Sequence, residues 1–177
     1  MAMDVYLAKL RRELKQKADS KRAKILARFF KTGPGEYGEG DVFIGLTVPA
    51  SRRLARRYQD LAFRDLTELL KSKIHEERLV ALLILVHNFP RAGERERKRI
   101  FNFYLKNIRS VNNWDLVDLS ADKIVGAFLR DKSQTLLPKL AHSKNIWERR
   151  IAMIATFQFI KQGKFQETFK IAKILMR

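Results

Sequence analysis

Within Val111-Asn112-Asn113-Trp114-Asp115-Leu116-Val117-Asp118, an indole and a carboxylate stand four residues apart. At helical spacing, Trp114 and Asp118 stack on one helix face. Both favour positive charge, the acid by Coulomb attraction and the ring through its negative π-face. A later helix, Asn145-Ile146-Trp147-Glu148-Arg149-Arg150-Ile151-Ala152, sets Arg150 inside an apolar arc predicted from Trp147, Ile154 and Phe157. An arginine there needs a carboxylate partner or a bound anion, or it lays its stem along apolar surface and keeps its head in water. Arg149 is predicted to point away, and Trp147 to lie in the core with Ile151 and Ile154.

The helix bearing Trp114 is predicted over Asn113–Arg130. Val117, Ala121, Ile124 and Phe128 define its apolar face, and Trp114, Asp118 and Val125 fall at its edge. Asp115 has a structural role in the first turn, where a carboxylate meets the positive helix end. Asp118 lies too far along for that. Its spacing leaves two readings open, a structural ion pair with Arg150 and a working acid.

The chain's charge names a partner class. Its 177 residues carry 37 Lys and Arg against 19 Asp and Glu, a net +18. That field attracts a polyanion, first of all nucleic acid, and an anionic membrane surface only second. The basic runs Arg52-Arg53-Leu54-Ala55-Arg56-Arg57 and 91–99 suit phosphate contact, although such runs are commonly solvated faces. Without cysteine there is no disulfide, thiolate metal site or thiol nucleophile. With no signal-peptide pattern at the start, the composition fits an intracellular, cytoplasmic protein, nucleoid-associated in a prokaryote. His75, His87 and His142 show no ligand spacing, so no metal is expected. The glycines at 33, 35, 38 and 40 lack the Gly-Lys-Ser/Thr that a phosphate loop requires.

To position these residues the sequence offers helices alone. Hydrophobic periods near 3.6 predict them over Asp4–Lys17, Asp19–Lys31, Pro49–Tyr58, Asp65–Ser72, Glu76–Phe89, Glu94–Ile108, Asn113–Arg130, Ser133–Ala141, Ile146–Gln162 and Phe165–Met176, with an irregular loop over Thr32–Val48. Asp19-Ser20 and Ser133 suit N-caps, Pro49 a first turn, and Phe89-Pro90 and Gly163 helix ends. Glu77-Arg78-Leu79-Val80-Ala81-Leu82-Leu83 aligns with Glu148-Arg149-Arg150-Ile151-Ala152-Met153-Ile154, two units of about 35 residues apart. This predicts one all-α domain over 1–177, a solenoid of antiparallel helix pairs in which Arg150 replaces the core residue Leu79.

These motifs resemble the DNA alkylation-repair glycosylases built from HEAT-like helical repeats. The matching pieces are Trp114-Asp115-Leu116-Val117-Asp118, then 145–152, and earlier Phe43-Ile44-Gly45-Leu46-Thr47-Val48-Pro49 followed by Arg52-Arg53. The resemblance implies a concave basic face that holds duplex DNA, and hydrolysis of the N-glycosidic bond of cationic N3- or N7-alkylated purines. It makes Asp118 the catalytic carboxylate, Trp114 a site tryptophan, Arg150 a DNA-contacting arginine and Phe29 a DNA-facing aromatic. No cofactor is implied, and no homo-oligomer is indicated. In two places the chain departs from the family. Asn113 stands where a second aromatic is frequent, and a sequence ending at Arg177 is expected to lack C-terminal helices that carry another site tryptophan. That shortening keeps a non-catalytic helical-repeat DNA-binding protein as the alternative.

Overall fold

The computed structural model describes residues 2–132 and 135–176, with side chains from Val5 onward. The described residues are helical with no strand, so the chain is all-α. They form two compact units, Met1–Asn88 and Phe89–Arg177. No helix among them is long and apolar enough to cross a membrane.

In the first unit, helices α1 (Ala2–Gln16), α2 (Ser20–Phe29), α3 (Val48–Arg57) and α4 (Phe63–Leu70) accompany α5 (His75–Asn88). Helix α5 is buried all round from His75 to Leu85, which explains why its sequence is apolar beyond a single stripe. The caps follow sequence chemistry. Asp19 accepts from Arg22 N at 2.9 Å, and Thr47 accepts from Ala50 N at 3.3 Å ahead of Pro49.

The predicted loop is irregular but tied to α5. Val42 N donates to Lys73 O and His75 N donates to Val42 O, both at 2.9 Å. The enclosed side chain of Asp41 accepts from Arg78 Nη2 at 2.6 Å and lies 3.1 Å from His75 Nδ1. The carboxylate of Glu76, itself buried, accepts from the amides of Ile44, Gly45 and Leu46 at 2.8–3.2 Å. Gly45 is required there. Its φ is +89°, and a Cβ would fall 2.2 Å from Asp19 O. Glu76→Gln places an amide NH2 among these donors, so urea denaturation should show a loss of about 2 kcal/mol. An unchanged midpoint would deny the carboxylate this anchoring role.

The second unit carries α6 (Glu94–Lys106), α7 (Trp114–Ala121), a π-helical segment Asp122–Gly126, α8 (Ala127–Leu129), α9 (Leu136–Ala141), α10 (Ile146–Ala155), α11 (Phe157–Ile160) and α12 (Gln166–Leu175). The expected cap Ser133 lies outside the described residues. One expected helix, Asn113–Arg130, is thus α-helical at both ends and π-helical between. A π turn inserts one residue, which moves every later side chain about one position around the axis. Leu129 is accordingly buried where Phe128 was expected, and Val125 is buried instead of lying at the edge. Phe128 is half-buried and stacks on Phe101 at 4.2 Å between centroids. The expected Ile146–Gln162 helix is divided at Thr156, whose hydroxyl turns back to Met153 O at 2.7 Å. Phe157 therefore starts a new segment and is 43% exposed, and the buried face of α10 is Ile151, Ala152 and Ala155. Trp147 and Ile154 are only half-buried.

Candidate active site

Two capping asparagines define the site. Buried Asn113 accepts from Trp114 N at 2.8 Å and starts α7, while Asn145 accepts from Trp147 N at 2.8 Å and starts α10. Asn113 is therefore the N-cap of the helix. With α7 beginning at Trp114, Asp118 follows one turn later on the same face, and both are half-buried. Asp115 in the first turn is buried, and its Oδ1 accepts from Leu116 N at 2.7 Å.

Helix α10 packs against α7 and against the π segment. Gly126 makes that approach possible, since a Cβ there would lie 2.2 Å from Ala155 O and 3.0 Å from Gln158 Cγ. The packing brings Arg150 to Asp118 as a two-pronged pair. Nε donates to Oδ1 at 2.7 Å and Nη2 donates to Oδ2 at 2.6 Å. The side chains are 40% and 32% exposed, so the pair lies at the rim and not in the core. This differs from the repeat alignment, which placed Arg150 on the core position of Leu79. Helix α5 is enclosed on every side, whereas α10 leaves one flank open, and Arg150 occupies that flank. The hydrogen bonds to Asp118 raise Arg150 above the ordinary arginine range, against a smaller effect of burial. Arg149 points elsewhere, donating to Ser143 O and Lys144 O at 3.0 and 3.1 Å.

The stripe continues past the residues expected from sequence. Asp122, one turn beyond Asp118 and buried, accepts from Lys123 Nζ at 2.8 Å and Lys161 Nζ at 3.2 Å. Behind it, Tyr104 Oη and Ser120 Oγ lie 3.0 Å apart in the core. The i, i+4 spacing of Asp118 and Asp122 was the available signal for this second acid. Phe29 belongs to the other unit, where it ends α2, is 62% exposed and meets Phe30 edge-on at 5.3 Å. The described residues contain no group of three metal-ligating side chains.

The site thus comprises a half-exposed carboxylate one helical turn from an indole and paired with an arginine, on a chain of net charge +18. A family model described as "DNA alkylation repair enzyme" matches residues 10–177, and the chain belongs to that family of DNA alkylation repair enzymes. Among curated proteins none matches the chain.

Proposed function

We propose that this protein is a DNA N-glycosylase that releases cationic N3- and N7-alkylated purines from duplex DNA. The observation that carries the reading is the Asp118 carboxylate at the rim of α7, one turn from Trp114 and held by Arg150. A cationic alkylpurine leaves without prior protonation, because breaking its bond to C1′ returns the electron pair to the ring and neutralises it. Positive charge grows instead on the deoxyribose, as in glycoside hydrolysis generally. Asp118 stabilises that charge and orients the water that adds to C1′, whose proton passes to the carboxylate or to solvent. The Trp114 face adds attraction for the cationic sugar or base, of about 0.5–2 kcal/mol.

Arg150 has two possible acceptors in this reading. Without DNA its fork is taken by Asp118; a backbone phosphate competes for the same donors, since guanidinium suits both oxyanions. DNA binding would then fix register and unmask the acid in one exchange. The single α-helical repeat domain, its solenoid of HEAT-like pairs with a concave basic face, and action as a monomer belong to the same proposal. Phe29 is assigned to DNA contact by the family resemblance, and its exposure is compatible with that role. Family membership and the net charge of +18 support these assignments.

One observation favours a second reading. Both carboxylate oxygens of Asp118 are occupied by Arg150, as in a structural pair of a non-catalytic DNA-binding protein. Duplex DNA carrying 7-methylguanine and 3-methyladenine, assayed for free base, separates the two. Release by wild type and its loss in Asp118→Asn supports the glycosylase. Salt-sensitive binding without any release supports the alternative.

A further inference from the structure

In the first unit, the end of α1 and the outer face of α3 enclose a cleft of about 260 Å³ lined by Glu13, Lys17, Ala50, Arg53, Leu54 and Arg57. Three cations, Lys17, Arg53 and Arg57, line it beside a single carboxylate, and that carboxylate is already committed. Glu13 accepts from Tyr58 Oη at 2.7 Å through Oε1 and from Arg57 Nη1 at 2.8 Å through Oε2. Tyr58 is buried, and burial together with the Glu13 bond pushes its phenol up to about 12, so it remains a donor at neutral pH. The Tyr58 bond, opposed by some burial and reinforced by Arg57, holds Glu13 below its ordinary range. Glu13 is thus a charged strut that fixes the wall of the cleft and is no free counter-ion. Among the described residues neither Lys17 nor Arg53 forms an ion pair, and both are exposed.

The wall therefore presents more positive charge than it neutralises, at an indentation large enough for a tetrahedral oxyanion and its water. An ammonium and two guanidinium groups lining one cleft offer a single such anion donors from several side chains, where an isolated surface lysine offers those of one. We infer that this cleft binds a phosphate group through Lys17, Arg53 and Arg57. A duplex backbone phosphate and a free phosphate ion present the same oxygens. The choice of the duplex as first ligand rests on the DNA reading given above.

Lesion-free duplex DNA, titrated into the intact protein at a series of salt concentrations, tests the inference. Lys17→Ala/Arg53→Ala removes two exposed side chains and should leave the fold unchanged. It should reduce the slope of log K against log salt by about 0.9, the counterion release of one phosphate. Lys15→Ala/Lys24→Ala removes equal charge from outside the cleft and should leave the slope as it is. In parallel, inorganic phosphate should shift the amide resonances of Lys17 and Arg53 in the wild type and not in the double variant. Such shifts with an unaltered slope support a phosphate-ion site and assign the duplex elsewhere. Absence of both effects, or an equal slope change in the control pair, overturns the inference. Because the DNA carries no lesion, failure of the glycosylase proposal would appear as absent base release and leave this result standing.

Discussion

Asp118→Asn should lower release of alkylated purine by about 10²–10³-fold, the scale seen when one preorganised electrostatic group is removed from an active site. The substitution keeps the size and one acceptor of the side chain, so Arg150 retains a hydrogen bond and α7 stays in place. What disappears is the negative charge that meets the growing cation at C1′. Affinity for DNA should hold or rise slightly, because a repulsive charge is removed and Arg150 is freer to take a phosphate. Single-turnover release with protein in excess isolates the chemical step from binding. A variant that releases base at the wild-type rate would take Asp118 out of the mechanism and leave the pair with Arg150 as scaffolding.

Gly126→Ala is expected to have the largest effect on stability. The new Cβ would lie 2.2 Å from the carbonyl oxygen of Ala155, a clash with backbone that no rotamer can relieve. Either the π segment or the end of α10 must retreat. Overpacking costs about 1–3 kcal/mol, and a clash with backbone belongs at the upper end, which for a chain of this length corresponds to a fall in Tm of roughly 10 °C. The displacement also reaches the site, since Arg150 is carried on α10 and both of its bonds to Asp118 depend on that approach. Base release should therefore fall together with stability. Gly93→Ala meets nothing within 4 Å and should cost no more than about 1 kcal/mol, as expected for a helix cap. A Gly126 variant with the melting temperature of wild type would show that the helices can separate without strain.

Helices and the main constellation were legible from periodicity because α7 and α10 carry their signals locally. Trp114 and Asp118 share a face by spacing alone, and both are half-buried as expected. Arg150 needed tertiary information. Its neighbours predict a core position, but α10 ends at Ala155, and the predicted apolar arc around Arg150 never closes. The π turn shifted Val125, Phe128 and Leu129 by one position, and period counting assumes 3.6 residues throughout. Its one visible trace was Gly126 in a helix interior, a residue type that in such places usually marks a close packing contact. The Glu76 and Asp41 networks were invisible for a different reason. Both join a loop to a helix some thirty residues later, and no local pattern encodes such a bond.

The Glu76 carboxylate has a consequence for motion. Amides in irregular segments ordinarily open with little cost and exchange with solvent quickly. Those of Ile44, Gly45 and Leu46 end on a buried acid and can be released only by disturbing the first turn of α5. In deuterium oxide, these three should lag far behind Gly35 and Gly40 and exchange together with the amides of α5. A stretch that looks like a surface connection would then share the opening energy of the centre of its unit.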